Sequence, residues 1–396
     1  MLANTNPKLF SFFSGAGFLD LGFEAEGFRV SFVNEFHPPF MAAYQYSRRL
    51  LGIAPPEFGY STESITSFSE GRLRTELQDW VAAAKRDGSL LGFIGGPPCP
   101  DFSVGGKNRG RHGERGKLSG TYVSLICSLQ PDFFIFENVK GLWSTKRHRA
   151  FYNELKAQLR VAQYQVADKL INCIQYGAPQ DRERVILFGV HNRLLREPDA
   201  IREDNSFPWD KYAEFPSQSA FEHAWPTTSP YTEASFIPCP PGIPKRLTVQ
   251  YWFDLNQVDA HANAAHCFQP RAGLARFRTV QEGDDSRKSF KRLHRWRYSP
   301  TACYGNNEVH LHPYKPRRIS VAEALAIQSL PREFELPASM TLSDMFKTVG
   351  NGVPYIAARK LARTVMEYLE RPYAIDCREH RPLDWQPASH PMLQLC

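Results

Sequence analysis

The residues of this 396-residue sequence that could do chemistry stand where apolar segments end. Cys99 follows an apolar run at 90–94 and a Gly-Gly-Pro-Pro turn, and Glu137 closes a second apolar run at 132–137. A deprotonated thiol can add to an electrophilic carbon, and a carboxyl group beside an apolar strand holds its proton more tightly than one in water. The two residues predict a nucleophile with a proton donor beside it, provided that the fold brings the two strand ends together.

Two arginines and a glycine-rich cationic stretch could bind a negatively charged substrate. Arg182 and Arg184 stand at alternate positions leading into an apolar strand, a spacing that directs both side chains to one side. Residues 105–118 contain five glycines and five Lys or Arg against one Glu, which is typical of a mobile loop able to close over a nucleic acid backbone.

A glycine turn and a downstream carboxylate predict a site for an adenosine-containing cofactor. Gly15 and Gly17 lie between a predicted strand and a predicted helix, where missing side chains let a ligand approach the backbone. Glu35 follows the second strand about twenty residues on, where a carboxylate can accept hydrogen bonds from both ribose hydroxyls. The full dinucleotide fingerprint GxGxxG is missing, which makes NAD a poorer candidate.

These residues need a scaffold, and the first 190 residues alternate short apolar runs with helical patterns. The predicted strands are Lys8–Phe13, Arg29–Asn34, Leu90–Ile94, Asp132–Glu137, Gln165–Cys173 and Arg184–Val190. The predicted helices are Leu19–Glu26, Pro38–Leu51, Arg72–Ala84, Thr121–Leu129 and His148–Leu159. This β-α order predicts a doubly wound, Rossmann-like α/β domain with a parallel sheet, which binds its ligand beyond the carboxyl ends of the strands.

Changes in residue composition and hydrophobic periodicity divide the chain into four parts. Residues 1–190 form the predicted α/β domain, and residues 191–316 are rich in Pro, aromatic and turn residues, which predicts a smaller, loop-rich module of short strands. Residues 317–370 contain helical patterns at Ser320–Gln328 and Pro354–Glu370 that we expect to pack on the first domain. Ser320 and Glu323 form a capping box at the start of the first. The tail at 371–396 has no clear pattern.

Charge, cysteine spacing and the length of apolar runs limit the classes of protein to which the chain can belong. The chain has 48 Lys and Arg against 41 Asp and Glu, a net charge of +7, which permits a polyanionic partner without requiring one. Its eight cysteines stand singly with no CxxC spacing, so neither a disulfide scaffold nor a metal site is predicted. No apolar run is long enough for a membrane span and the N-terminus lacks the order of a secretory signal, so we expect an intracellular protein.

In ordered sequence motifs the chain resembles the DNA cytosine-5 methyltransferases, which use S-adenosylmethionine. The resemblance covers roughly 8–190 and 317–370 and rests on the motifs PPCPDFS, FENV, QDRER and VGNGVP. It implies an S-adenosylmethionine-binding catalytic domain followed by a target recognition domain at 191–316. It also implies the product S-adenosylhomocysteine and no metal.

The resemblance implies a set of cofactor contacts. Phe13, Gly15 and Gly17 would form the cofactor loop, with Phe13 stacking on the cofactor, and Glu35 would hold the ribose. Ser64 and Ile65 fall where the family has an acidic and an apolar residue around adenine. The remaining implied cofactor contacts are Pro98, Leu118, Asn351 and Gly352.

The implied mechanism has Cys99 adding to C6 of a cytosine flipped out of the duplex. Glu137 would bind or protonate N3, and Arg184, supported by Arg182, would bind O2. For DNA contacts, we expect Ser103 and the 105–118 loop, with Lys107 and Arg109, to close around the extruded nucleotide. Residues 286–298 carry six Lys or Arg and no acid, and they predict phosphate and guanine contacts that include Arg292, Arg295 and Arg297.

Three other functions compete with this interpretation. The same chemistry on RNA is the nearest, although RNA methyltransferases of this fold tend to be compact, whereas this chain has a long variable module. A zinc-dependent cytosine deaminase requires a second cysteine three positions after Cys99, and Phe102 occupies that position. A catalytically inactive DNA-binding protein is disfavoured because Cys99, Glu137, Arg182 and Arg184 are all present. We therefore expect a monomeric, cytoplasmic, nucleoid-associated enzyme that acts on double-stranded DNA, with a cognate restriction endonuclease as a possible separate partner.

Overall fold

The computed structural model describes residues 6–98, 114–195, 207–270, 273–302, 304 and 308–370. In the first half of the chain, strands and helices alternate as the hydrophobic pattern predicts. The strands are β1 (Lys8–Phe12), β2 (Arg29–Asn34), β3 (Tyr60–Ser61), β4 (Leu91–Gly95), β5 (Phe133–Val139), β6 (Tyr164–Asn172) and β7 (Glu183–His191). The helices are α1 (Phe18–Ala25), α2 (Pro38–Leu50), α3 (Gly71–Ala84), α4 (Glu114–Leu129), α5 (Lys140–Ser144) and α6 (Lys146–Val161).

The seven strands of the described residues form one sheet in the order β3-β2-β1-β4-β5-β7-β6. The first five are parallel, whereas β7 runs antiparallel to both β5 and β6. The prediction of a parallel sheet is therefore wrong for β7. The connection from β6 to β7 spans only residues 173–182, which is shorter than the crossover that a parallel pair requires.

Both faces of the sheet are covered, so its strands are apolar almost throughout. Leu9 of β1 faces the side covered by α1, α2 and the C-terminal helices, whereas Phe10 and Phe12 face the side covered by α3, α4 and α6. This arrangement leaves the two ends of the sheet as the places where polar side chains can gather.

The residues from 207 to 316 differ from the predicted module of short strands. Among those that the structure describes, none lies in a strand, and only isolated β-bridges occur, such as the one between Arg292 and Leu311. The segment contains α7 (Val249–Leu255), α8 (Leu274–Phe277) and short 3-10 turns. We call residues 207–316 the recognition segment, after the target recognition domain that the family resemblance implies for 191–316. Part of its apolar content, including Trp252 and Leu293, joins the core beneath α1 and α2.

Three helices follow: α9 (Val321–Ile327), α10 (Leu342–Asn351) and α11 (Tyr355–Glu370). The predicted capping box is confirmed, since the Ser320 hydroxyl accepts the Glu323 backbone N–H and the Glu323 carboxylate accepts the Ser320 N–H. Helix α11 packs on α1 so closely that a Cβ on Gly22 would lie 2.6 Å from Cβ of Ala358. The sequence pattern predicted α9 and α11 but not α10, nor the short elements β3, α5, α7 and α8.

Candidate active site at the carboxyl ends of the strands

The loop after β1 adopts a conformation that few side chains tolerate. Phe13, Gly15 and Gly17 have φ angles of 54°, 58° and 79°. A Cβ on Gly15 would meet only the Thr348 hydroxyl at 3.8 Å, so the space beside this residue is open, as a ligand that approaches the backbone requires. Phe13 is half-buried, with its ring edge-on to Tyr122 at 6.2 Å.

A buried arginine that the sequence motifs did not indicate holds this loop. Arg48 of α2 is 2% exposed, and its Nη2 donates to the Gly17 carbonyl over 2.6 Å. Its Nε donates to Glu24 over 2.9 Å, and burial raises the pKa of Glu24 to about 7. A Cβ on Gly17 would lie 2.4 Å from the Tyr44 ring and 2.7 Å from Arg48. Only glycine fits at position 17, and the signal in the sequence was a charged residue on the otherwise apolar side of α2.

Glu35 joins the glycine loop to the end of β2. One carboxylate oxygen accepts the Gly15 N–H and the other accepts the His37 N–H, both over 2.8 Å. Each oxygen keeps a lone pair for a further donor. Burial raises the pKa of Glu35, with these two hydrogen bonds acting in the opposite direction. Next to it, the Phe36 ring is 66% exposed, an aromatic surface at this site that the sequence motifs did not indicate.

The other predicted cofactor contacts differ in their exposure to solvent. The Ser64 hydroxyl bonds to the Thr66 hydroxyl over 2.8 Å, and Ile65 is only 2% exposed, within the core. Pro98 and Leu118 are half-buried, and Asn351 is exposed at the end of α10. Gly352 lies against Phe18, whose ring is 2.1 Å from the position of a Cβ. A larger residue at 352 would push α10 away from the glycine loop.

Glu137 lies directly against the turn that leads to Cys99. Its Oε2 is 2.6 Å from the position that a Cβ on Gly96 would occupy, so the glycine is what lets the carboxylate approach. The neighbouring Asn138 side chain donates to the Pro97 carbonyl over 3.3 Å. The ends of β4 and β5 are therefore joined through side chains, whereas Cys99, the predicted neighbour of Glu137, lies outside the described residues. Burial raises the pKa of Glu137, in the predicted direction, although Arg184 and then Arg182 oppose the rise.

The antiparallel β7 brings Arg184 to the same place. Arg184 pairs with Val139 across the sheet, which puts its side chain on the face that Glu137 occupies. Its Nε lies 2.8 Å from Oε1 of Glu137, and both side chains are largely buried. Arg182 is fully buried just before β7, and it donates to the carbonyls of Ala302 and Gly350 over 2.9 and 2.6 Å. Arg182 therefore ties the recognition segment and α10 to the site.

Several predicted residues lie outside the described part of the chain. These are Cys99, Ser103, Lys107 and Arg109, together with most of the 105–118 stretch. Among the described residues, no group of three or more His, Cys, Asp or Glu side chains could hold a metal ion. The same part of the chain has no helix with the length and apolar character to cross a membrane.

The three arginines predicted as DNA contacts all bond to other groups of the protein, and two of them are interior. Arg292 is fully buried and donates to the carbonyls of Val280, His312, Lys315 and Phe277. Arg295 is 3% exposed and forms a buried ion pair with Glu282 at 2.8 Å. Arg297 is largely buried and pairs with Asp285 at 3.0 Å. The prediction is wrong for Arg292 and Arg295, because neither guanidinium can reach a phosphate. The exposed cations of this stretch are Arg287 and Lys288.

Comparison with solved structures defines the class of fold. A prophage-encoded DNA modification methyltransferase of E. coli superposes with a TM-score of 0.64 at 20% identity, over 92% of this chain and all of that one. The Dnmt2 methyltransferase of S. pombe superposes with a TM-score of 0.57 at 12% identity, over 93% of this chain and 99% of that one. These likenesses show the Rossmann-like fold of the methyltransferases.

Comparison of sequences then identifies the family. A sequence profile of the C-5 cytosine-specific DNA methylases matches residues 8–367. The chain is 58% identical over 365 residues to the Type II methyltransferase M.NmeDI of Neisseria meningitidis serogroup C. The aligned residues are 92% of this chain and 84% of that protein. The chain is also 28% identical to the Type II methyltransferase M.XorII of Xanthomonas oryzae pv. oryzae over 93% of this chain and 86% of that protein. The chain belongs to the C-5 cytosine-specific DNA methylase family and is a DNA cytosine-5 methyltransferase.

Proposed function

We propose that this enzyme methylates C5 of a cytosine flipped out of a specific duplex sequence, through a transient covalent bond between Cys99 and C6. The observation that carries the proposal is the contact of Glu137 with Gly96, three residues before Cys99, together with its ion pair to Arg184. A carboxyl group, a guanidinium group and the turn that leads to Cys99 meet at one edge of the sheet, which supports the proposal.

The roles of these residues follow from the chemistry of cytosine. C5 is a poor nucleophile until a thiolate adds to C6, because the addition converts the ring to an enamine. The Sγ–C6 bond forms as the ring double bond shifts its electron pair toward N3, where the Glu137 carboxyl donates a hydrogen bond or a proton. The raised pKa of Glu137 favours the protonated form that this step needs. Arg184 would bind O2, and Arg182 would act as a positioning residue. After the enamine carbon C5 has accepted the methyl group, loss of the C5 proton would re-form the C5–C6 double bond and expel Sγ, which releases 5-methylcytosine and the Cys99 thiolate while N3 returns its proton to Glu137.

The glycine loop and Glu35 fit S-adenosylmethionine as the methyl donor. The open space beside Gly15, the free lone pairs of the Glu35 carboxylate and the exposed Phe36 ring suit the backbone, ribose and adenine parts of an adenosine group. Ser64, Ile65, Pro98, Leu118, Asn351 and Gly352 would complete the pocket. S-adenosylmethionine, when bound, supplies an electrophilic methyl group and leaves as S-adenosylhomocysteine.

The relatives support a biological setting. Because M.NmeDI and M.XorII are Type II methyltransferases, we infer that this enzyme is the modification component of a restriction-modification system, with a separate endonuclease that recognises the same sequence. It would act in the cytoplasm as a monomer on double-stranded DNA. Residues 1–190 would carry catalysis, residues 191–316 would read the sequence, and residues 317–370 would complete the catalytic domain. The family match to DNA methylases disfavours the RNA alternative.

Methylation mapping tests the proposed reaction. Plasmid DNA treated with the protein and S-adenosylmethionine should show 5-methylcytosine in one sequence context by bisulfite sequencing. A duplex with 5-fluorocytosine at that position should become covalently attached to Cys99, because fluorine at C5 blocks the elimination step. Cys99→Ser should abolish both the methylation and the adduct.

Cys173 provides a matched control for the thiol. It is fully buried near the Glu137 and Arg184 pair, and burial raises its pKa to about 11, so it is a poor nucleophile. Cys173→Ser should retain methylation and form the adduct. Full activity in Cys99→Ala without an adduct would contradict the covalent route, and an adduct on another cysteine would contradict the assignment of Cys99 as the nucleophile.

A further inference from the structure

One aromatic ring projects from the recognition segment into solvent. Phe236 is 89% exposed, more than Phe36, Leu50 or Val161, the other large apolar side chains exposed among the described residues. A single exposed apolar residue is common on protein surfaces and needs no function by itself. The backbone that carries Phe236 is what sets it apart.

The backbone on both sides of Phe236 is fixed by buried side chains. Arg295 Nη1 donates to the Ser235 carbonyl over 2.5 Å, and its Nη2 donates to the Ser235 hydroxyl over 2.9 Å. Trp296 Nε1 donates to the Ile237 carbonyl over 2.8 Å. Two consecutive residues of the basic stretch thus hold the residues immediately before and after Phe236.

The anchor is itself rigid. The Arg295 guanidinium forms two further bonds to the Glu282 carboxylate, over 2.9 and 2.8 Å, and lies 4.4 Å from the centre of the Tyr314 ring. The backbone N–H of Ala234 donates to the Tyr314 carbonyl over 3.0 Å. Separating a buried ion pair would leave an uncompensated buried charge, which is strongly unfavourable, so an exposed loop hydrogen-bonded to one of its members is held in a defined conformation. A residue presented in this way loses little conformational entropy when it binds a partner.

We propose that Phe236 is a DNA-contacting residue whose ring stacks on or between bases of the duplex. This inference rests on the proposed function of the recognition segment, and it adds a specific contact to it. Apolar side chains that enter DNA partly unstack a base step, and a flat ring replaces the stacking that is lost. The contact would help to offset the free energy needed to flip the target cytosine.

The surroundings of Phe236 favour a base over a protein partner. Thr232, Glu233 and Ala234 are exposed and are polar or small, and Ile237 is half-buried. The nearby Pro238 and Pro241 are also exposed, but Phe236 is the one large apolar side chain exposed in the described part of this segment, so its ring does not lie among other large apolar side chains as it would in a broad apolar patch. A protein interface usually needs such a patch, whereas one ring fits the space beside one base.

Binding measurements test the contact on a duplex that carries the sequence found by methylation mapping. Phe236→Ala should weaken DNA binding roughly tenfold, because one base no longer stacks on an aromatic ring. Phe236→Tyr should restore the affinity, since it keeps the ring. The melting temperature and the affinity for S-adenosylmethionine should stay those of the wild type. Val161→Ala, which changes an 81% exposed residue on α6, is the matched control and should bind DNA normally.

A photo-crosslink detects the contact directly. Benzoylphenylalanine at position 236 should crosslink to the duplex on irradiation, whereas the same group at position 161 should not. Unchanged affinity in Phe236→Ala, or crosslinking from position 161 as strong as from position 236, would overturn the inference and leave the methyltransferase function intact. A wild-type protein that neither binds nor methylates duplex DNA would instead overturn the proposed function.

Discussion

The sheet edge and the recognition segment differ in how their backbone polar groups find hydrogen-bond partners. At the sheet edge, backbone hydrogen bonds are completed by the ladders of β4, β5 and β7, so the side chains of Glu137 and Arg184 are left for chemistry. In the recognition segment few backbone groups lie in helices or strands, and arginines supply the missing donors. Arg292 alone donates to four carbonyls.

The difference teaches how to interpret a basic stretch. Buried carbonyls must find donors, and guanidinium has five N–H groups in a fixed plane. Where secondary structure is sparse, a cluster of arginines is as compatible with an interior scaffold as with a nucleic acid surface. A charge pattern alone does not distinguish the two, whereas a polar residue at the end of an apolar strand does specify the edge of the sheet.

The largest effect is expected from a methyl group added at the sheet edge. Gly96→Ala would put a Cβ within 2.6 Å of the Glu137 carboxylate, which is the flexible end of its side chain and can move aside. We expect methylation to fall by about a hundredfold, since a misplacement of about 1 Å costs that much, with folding retained. Single-turnover kinetics and thermal melting measure the two quantities. Gly120→Ala, where nothing lies within 4 Å of the added Cβ, should keep full activity. Normal turnover in Gly96→Ala would mean that the position of Glu137 is not critical.

An effect of comparable size, on stability and not on turnover, is expected from the interior arginine. Arg292→Met leaves buried carbonyls without donors, at about 1–3 kcal/mol for each, so the free energy of unfolding should fall by at least about 3 kcal/mol. Arg287→Ala changes an exposed side chain and should alter it by less than about 0.5 kcal/mol. Urea unfolding of the two variants gives the comparison. A stable Arg292→Met protein with a reduced salt dependence of DNA binding would restore Arg292 as a phosphate contact and remove the contrast between the two regions.

The smallest expected effect is on the pH dependence of stability, and it again distinguishes the recognition segment from the sheet edge. His294 of the recognition segment is buried, and its Nδ1 accepts the Trp296 N–H over 3.0 Å. Burial lowers its pKa to about 4. The neutral ring is thus favoured in the fold, and the unfolded chain binds the extra proton below pH 6.5. This histidine contributes stability that is present above pH 6.5 and is lost as the pH falls toward 4, by about 1 kcal/mol at pH 5.5.

Asparagine at position 294 separates titration from hydrogen bonding, because its side-chain oxygen can accept the same N–H two residues on and does not titrate. Between pH 7.5 and 5.5, His294→Asn should lose less stability in urea unfolding than the wild type. Glu24, with a pKa raised to about 7, acts in the opposite sense and is common to both proteins, so it cancels in the difference. Identical pH profiles would show that His294 does not titrate in this range.

The local pattern of the sequence predicted much of the sheet edge and less of the remaining structure. Apolar runs ending at Glu35, Gly96 and Glu137 place these residues at one edge, because parallel strands joined by helices have their carboxyl ends together. The antiparallel β7 was missed, although ten residues between β6 and β7 are too few for a parallel crossover. The support of the glycine loop by Arg48 was missed because it depends on the packing of α2, which no motif records.

The sequence by itself determined the alternation of strands and helices, the glycine turn and the positions of the carboxylates, since these depend on periodicities of a few residues. Only the tertiary structure decided that Arg184 pairs with Glu137, that Arg292 and Arg295 are interior and that Phe236 is held outward. Those outcomes depend on which distant carbonyls and carboxylates lack partners once the chain has folded. A charged residue has the same appearance in a sequence whether it faces DNA or an unpaired carbonyl, and the packing of the chain decides between the two.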